Sequence, residues 1–434
     1  MDTAIVLFTR DLRIHDNPAL DLACRSARHV VPLFVVHDGL GFAVPNRLRY
    51  LHDSLADLRR SLRARGGDLV VRHGEPVAET LTLAREVRAD GIVLARDVSR
   101  YAHRRLARLE RACRDERIAL RAVDSATVVP PGAVTPAAGD HFRVFTPYWR
   151  AWERHPRRDA AATPERVTLP AGVRAGALPA APESTAELPA GGETAARRRM
   201  VAWLRGGLAE YADRHDDLAA DGTSRLSADL HFGCLSPLEL ATRAARAGGA
   251  GGEAYVRQLC WRDFHAQVAD AFEDLPRRDY RPRPRDWRDD PDALAAWREG
   301  QTGLPIVDAG MRQLAAEGFL HNRARLLVAS FLAKDLGVHW TAGAAHFFDL
   351  LTDGDIANNA GNWQWVAGTG NDTRPNRRFN PVRQAYRFDP DGSYVRRYVP
   401  ELAGVPGRRV HEPWTLPRHP AGYPLPVVEP PVAR

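Results

Sequence analysis

The chain has 434 residues, more than one ordinary hydrophobic core organises, and fits two domains joined by a connection. Its formal net charge of +7 is carried almost wholly by arginine, Lys334 being the only lysine, which favours an anionic partner that presents phosphates; a GC-rich coding bias would give the same arginine excess. The four cysteines lack CxxC or zinc-type spacing and no apolar run reaches about 18 residues, which argues against a disulfide framework, a structural metal, a signal peptide and a membrane span. A monomer in a reducing cytoplasm is the expectation.

Residues 1–128 alternate strand and helix patterns. Short apolar runs at 3–8, 30–36, 69–72, 92–95 and 118–123 read as buried strands. Between them, 46–65 sets Leu48, Leu51, Leu55, Leu58 and Leu62 at steps of three and four, an apolar stripe that predicts a helix against a sheet. Similar stripes run through Val77, Leu81 and Ala84, and through Ala102, Leu106, Leu109 and Cys113. Strand and helix in repetition predict right-handed crossovers and a doubly wound parallel α/β sheet. No GxGxxG follows a strand and no Walker A pattern occurs, so the usual Rossmann dinucleotide site is not supported. Residues 129–195 are rich in Ala, Pro and Gly and read as an interdomain linker, with one ordered patch at 145–155 pinned by Phe145, Tyr148, Trp149 and Trp152. Residues 196–434 read as an all-α domain. Its proline-rich tail, from Pro400 onward, is expected to wrap the surface without elements of its own.

The chemistry concentrates in 321–370. Here apolar helical sequence carries Asn322, Arg323, Arg325, Asp353, Asp355, Asn359, Trp340, Trp363 and Trp365, where a purely structural core would mostly use aliphatics. Arginines facing carboxylates suit a ligand with polar groups of both kinds, and clustered indoles suit stacking or electron transfer. Upstream, Thr223, Ser224, Arg225, Leu226 and Ser227 (TSRLS) precede helical sequence and offer hydroxyls and backbone amides to a phosphate; a plain N-cap is the simpler account of the motif by itself. DGDIANN at 353–359 has the first ligands of a calcium loop but lacks the bidentate Glu, and pairing of its carboxylates with Arg325 or Arg262 fits the apolar surroundings better. Trp363 and Trp365 point about 200° apart on a helix and serve different neighbours. Trp203 and Trp297 are assigned to the core, and His321 to a cap or the core. No HExxH, GxSxG or Cys-His pairing suggests a hydrolase.

In combination these pieces resemble the DNA photolyase and cryptochrome flavoprotein family, most closely the class I bacterial photolyases of cyclobutane pyrimidine dimers. The likeness spans nearly the whole chain. It is carried by TRDLRIHDNPAL at 9–20, TSRLS, QLCWRDF at 258–264, TGLPIVDAGMRQL at 302–314, HNRARL at 321–326, DGDIANNAGNWQW at 353–365, RRFNP at 377–381 and RRYVPEL at 396–402. It implies an N-terminal α/β domain that holds an antenna pigment and a C-terminal all-α domain that holds FAD.

Carried over residue by residue, the resemblance implies that Tyr211 and Thr223 to Ser227 contact the flavin phosphates and ribityl chain. Arg262, Arg325, Asp353, Gly354 and Asp355 would surround the rings, with Arg325 and Asp355 as a planar pair and Asn359 facing flavin N5. Trp363, Trp340 and Trp287 would relay electrons to the flavin. Trp261 and Trp365 would wall a cavity for a flipped lesion in UV-damaged DNA. Gln258 and Asn322 would bond the pyrimidine edges, and Arg323 and Arg377 the phosphates. Dimer-repairing members usually carry Glu at the place of Gln258. Phe34, Arg47 and Asp97 match positions that bind a deazaflavin in some members, while the folate-binding pattern is not evident. The implied function is light-dependent dimer repair by electron transfer from photoexcited reduced FAD. The alternatives are a cryptochrome photoreceptor, which the short tail and Asn359 disfavour, and a (6-4) photolyase, whose His-His pair is here His321-Asn322.

Overall fold

A computed structural model describes residues 1–37 and 44–430. The first elements are β1 (Thr3–Leu7), α1 (Pro18–Ser26), β2 (His29–Val36), α2 (Pro45–Arg63), β3 (Val70–His73), α3 (Pro76–Glu86), β4 (Gly91–Ala95), α4 (Arg100–Asp115) and β5 (Ala119–Val123). The five strands form one parallel sheet in the order β3-β2-β1-β4-β5. β1 is buried along its whole length, as a strand covered on both faces must be. On α2, Leu55, Leu58 and Leu62 are buried as the stripe predicts, but Leu48 and Leu51 are only partly so. Tyr50, Asp57 and Arg59 share the buried face because each has a polar partner there: Tyr50 bonds Asp229, Asp57 accepts from the Thr194 amide at 2.8 Å, and Arg59 donates to Leu69 O at 2.7 Å.

The chain then forms α5 (Phe145–Arg154), α6 (Glu193–Gly206), α7 (Tyr211–Arg214), α8 (Ser227–His231), α9 (Pro237–Ala247), α10 (Gly249–Ala271), α11 (Pro291–Glu299) and α12 (Pro305–Glu317). It ends in α13 (Asn322–Ser330), a π-helical turn (Phe331–Leu336), α14 (Trp340–Leu350), α15 (Ile356–Ala367), α16 (Pro381–Phe388) and α17 (Ser393–Tyr398). Contacts divide it into two compact units. The first joins Met1–Ser184, Pro189–Gly206 and Ser224–Glu273; the second joins Thr185–Leu188, Gly207–Thr223 and Asp274–Arg434.

This division departs from the composition-based boundaries at 128 and 195, for two reasons. The segment read as a linker has no packed core of its own, yet its backbone seals the sheet: Thr168 O accepts from Val30 N at 2.8 Å and Ala175 O from Val71 N at 2.7 Å. Helix α10, although helical like the segments C-terminal to it, is tied to the first unit by Asp263. That buried carboxylate accepts from the amides of Val128 and Val129 and from Trp152 Nε1, all within 3.0 Å. Burial pushes it up to about 6, against the pull of Arg262 and of these donors.

The tail also differs from expectation. It forms short 3-10 turns at Pro400–Leu402, Gly407–His411 and Pro413–Thr415, and it buries Leu402, Val410 and Tyr423 in the second unit's core. Tyr423 donates its hydroxyl to Asp308 at 2.6 Å, and the Val427 amide bonds Thr302 O at 2.9 Å. Proline-rich sequence lacks periodicity, but its side chains still pack.

Candidate functional site

TSRLS closes a segment of the second unit at Thr223 and runs, in the first unit, into α8. Arg225 adopts a left-handed φ of 50°, Ser224 Oγ accepts from Tyr255 Oη at 2.9 Å, and the Thr223 hydroxyl is buried without a hydrogen-bond partner. A buried hydroxyl without a partner is costly, so a polar ligand is the economical account of it. Gln258, Trp261 and Arg262 share one face of α10 at steps of three and four. Gln258 is exposed. Trp261 is half-buried, with one face stacked on Phe145 of α5 at 3.7 Å between centroids and 4° between planes. Arg262 points its guanidinium at Ala126 O and Leu230 O.

At the C-terminal edge of the sheet, Arg10 and Asp97 form an ion pair at 3.2 Å. They follow β1 and β4, the neighbours between which strand order reverses, where doubly wound sheets bind their ligands. Phe34 lies on β2 and the buried Arg47 on α2.

In the second unit, Arg325 of α13 pairs with Asp353 through Nη2 at 2.8 and 3.1 Å. This corrects the expected pairing with Asp355. Asp355 instead caps α15, accepting from both the backbone and side-chain nitrogens of Asn358 at 2.9 Å; a carboxylate one residue ahead of a helix meets its unpaired amides first. Gly354 lies between the two. Asn359 donates Nδ2 to Ala344 O at 2.9 Å, which leaves its oxygen as the atom for a bound group. Tyr211, buried on α7, lies 5.1 Å from the His215 ring, and burial raises its phenol. His321 caps α13, its Nδ1 accepting from the Arg323 amide at 3.2 Å, with Asn322 the first residue of the helix.

Arg323 is engaged by both oxygens of Asp216, at 2.6 and 3.1 Å, and lies over Phe388. It therefore brings little net charge to a phosphate. Arg377 is freer, 3.8 Å from Asp372 and 4.9 Å over the ring of Trp365. Trp365 is half-buried and Trp363, on the same helix, is buried, as their angular separation predicts. Trp297 is fully buried and bonds Val328 O; Trp203 is 9% exposed, and both belong to the core.

The three tryptophans expected in a relay are grouped about α14. Trp363 packs so tightly on α14 that a Cβ at Gly343 would sit 2.1 Å from its ring. Trp340 opens that helix one turn earlier, fully buried, and donates its indole N–H to Asp279 Oδ1 at 2.7 Å. The half-buried Trp287 is reached through His339, whose ring lies 4.8 Å from Trp287 and 5.8 Å from Trp340. Burial lowers His339, opposed by Asp279, which favours the neutral form of the imidazole beside the indoles. Sequence reasoning missed both residues. His339 directly precedes Trp340 and was visible, but Asp279 is distant in sequence and carries no motif.

Residues 4–167 match the family model described as DNA photolyase, and 255–434 match that of the FAD binding domain of DNA photolyase. A deoxyribodipyrimidine photo-lyase of Streptomyces griseus is 53% identical over 440 residues, covering 99% of this chain and 97% of its own. The chain belongs to the DNA photolyase family. Among solved members, a class III photolyase of Agrobacterium tumefaciens superposes with a TM-score of 0.93 at 34% identity, covering 99% of this chain and 95% of that one. An archaeal photolyase of Sulfolobus tokodaii, whose structure holds two FAD molecules, superposes at 0.88 with 30% identity, covering 98% and 96%. The second family match gives the chain an FAD-binding domain. The unpartnered Thr223 hydroxyl, the Arg325–Asp353 pair and the Asn359 oxygen fit that ligand's alternation of phosphate, hydroxyl and ring edge.

Proposed function

We propose that this member of the photolyase family uses light to split cyclobutane pyrimidine dimers in UV-damaged DNA. Bound FAD supplies the light absorption and the transferable electron. The observation that supports the reading is the grouping of Trp287, Trp340 and Trp363 about α14, with Trp363 one helical turn from Asn359 on α15. Its polarity is built in. A carboxylate oxygen 2.7 Å from Trp340 Nε1 stabilises positive charge there, whereas the buried Trp363 N–H has no acceptor, which favours an electron vacancy on Trp340 over one on Trp363.

The remaining residues bind and orient. Arg325 and Asp353 hold the polar edge of the flavin rings, and TSRLS with Tyr211 takes its phosphates and ribityl chain. Asn359 presents an uncharged oxygen, which does not repel an anionic reduced ring as a carboxylate would. Trp261, with one face already backed by Phe145, and Trp365 each offer an indole to an unstacked base. Gln258 and Asn322 bond the pyrimidine edges, and Arg377 takes a phosphate. A second chromophore, deazaflavin ahead of folate, is assigned to the sheet's C-terminal edge around Phe34, Arg47 and Asp97. The four unbridged cysteines suit a reducing compartment.

The test is illumination of the purified, reduced protein with a dimer-containing oligonucleotide, reading restored thymine. Restoration in light and none in the dark is expected. Bound FAD with normal photoreduction and no restoration would overturn the repair reading in favour of a photoreceptor.

A further inference from the structure

The indoles Trp363, Trp340 and Trp287 stand in different surroundings. The Trp363 N–H is buried without an acceptor. Trp340 is fully buried, and its N–H donates to Asp279 Oδ1, 2.7 Å from Nε1. Trp287 is half-buried, and the Arg285 guanidinium lies 4.8 Å from the centre of its ring, fixed by donating Nη1 to Ala367 O at 2.9 Å. A cation over an aromatic ring is attracted to its π electrons and repels the positive charge that remains when one electron is removed. Arg285 therefore disfavours an electron vacancy on Trp287, while Asp279 favours one on Trp340.

Asp279 is carried by a strap, residues 275–288, tied down at several points. The buried Gln364 of α15 brackets it: Oε1 accepts from Tyr280 N at 2.8 Å, and Nε2 donates to Leu275 O at 2.6 Å and Arg278 O at 2.9 Å. Arg281 N bonds Thr369 O at 2.7 Å, and Arg288 N bonds Gly337 O at 2.8 Å. Between those two bonds, Pro282 and Pro284 fix φ and stiffen the backbone. The carboxylate is thus set on the Trp340 N–H and, being half-buried, keeps a side open to water. His339, beside the indoles, is engaged elsewhere, with Nδ1 2.8 Å from Thr341 Oγ1.

We propose that Asp279 takes the indole proton of Trp340 during photoreduction of bound FAD, so that the vacancy comes to rest on Trp340 as a neutral radical and does not pass to Trp287. This role rests on the reading of the indoles as an electron relay and deepens it. Photoexcited FAD supplies the vacancy on Trp363, and one electron passes to it from Trp340. The Nε1–H bond of Trp340 then breaks: its electron pair stays on nitrogen and cancels the ring's positive charge, and the proton bonds Asp279 Oδ1. An indole that has lost an electron is a far stronger acid than indole itself, because losing the proton relieves that charge. Return of the electron then requires return of the proton, which lengthens the life of the separated charges. Trp363 has no such outlet, since its N–H meets no acceptor.

The experiment is flash transient absorption on the FAD-loaded parent, Asp279→Asn and Trp287→Phe, in water and in heavy water, reading indole radical cation and neutral indolyl radical separately. Asn keeps the size of Asp and still accepts from Trp340 Nε1, but its amide does not take up the proton. In the parent a neutral radical should form, more slowly in heavy water. In Asp279→Asn the radical should stay a cation, and the separated charges should recombine about tenfold faster or more, the effect of removing a unit charge this close to the ring in a half-buried setting. That loss should exceed the loss in Trp287→Phe. A parent radical that stays a cation, a rate that heavy water leaves unchanged, or a Trp287→Phe loss as large as that of Asp279→Asn each overturns the proposal. The heavy-water comparison uses the parent alone and stands even where the Asn variant does not fold. Photoreduction that survives Trp363→Phe would refute the relay itself, whereas a working relay that ends on Trp287 refutes only the role of Asp279.

Discussion

Gln364→Met should loosen the strap while leaving α15 packed, because Met keeps the length and shape of Gln and loses only its hydrogen bonds. Three backbone groups lose their partner: Tyr280 N–H, Leu275 C=O and Arg278 C=O. Leu275 is fully buried, so its carbonyl bears the full cost of about 1–3 kcal/mol for an unsatisfied group, while the more exposed Tyr280 and Arg278 recover water and add less. A total near 3 kcal/mol corresponds to a fall of roughly 6–12 °C in Tm for a folding unit of this size. Trp287 lies in the strap, so photoreduction of bound FAD should slow as well, while repair by chemically reduced protein should change little. Differential scanning calorimetry and flash photolysis read the two effects, and trypsin should cut faster after Arg278 and Arg285. A Tm within about a degree of the parent, with unchanged photoreduction, would refute the anchoring role of Gln364.

Trp363→Phe should abolish photoreduction and leave repair by pre-reduced protein nearly intact, as seen by transient absorption beside a thymine-restoration assay. Arg377→Ala should reduce the salt slope of DNA binding by about one, whereas Arg323→Ala should reduce it much less, because Asp216 already neutralises Arg323. Asp389 is raised to about 6 by burial, against donors at Tyr394 N and Val395 N and with Asp217 raising it further. Its folded value lies above the unfolded one, so its contribution to stability is fully present below the unfolded value and is lost as pH rises through about 6. Asp389→Asn escapes that loss. Its destabilisation relative to the parent, measured by urea unfolding, should therefore shrink from pH 5 to pH 8 by about 1.4 kcal/mol. Gln258→Glu should preserve dimer binding and maintain or raise repair, with any gain concentrated toward lower pH, where the carboxyl is protonated and donates; repair yield from about pH 6 to 9 checks it.

The inner strands were legible because strands covered on both faces must be written in short apolar runs; all five strands fall where such runs occur, the partly exposed β5 included. The helix faces were legible only in part, because polar residues such as Tyr50 and Arg59 are buried wherever a distant group satisfies them, and that group leaves no trace in a local pattern. The same limit governed the site. Arg325 and the carboxylates around it stood out by composition, but the choice of Asp353 over Asp355 depends on where α15 begins. Asp279, Asp216 and Gln364 act through single long-range hydrogen bonds, which no spacing rule reveals.

The bonds from Asp263 bear on how the protein can be divided. Val128 and Val129 would lose their amide acceptor in a fragment ending near 128, Ile14 N would lose Glu193, and Arg13 would lose Gly233 O. The β2 and β3 amides would also lose the carbonyls of Thr168 and Ala175. The α/β sheet is therefore not a severable piece. During synthesis its edge stays open until the ribosome has released the chain past 175, and its last polar contacts close only after 263 has emerged, so the α/β part must wait for α10 before it is finished.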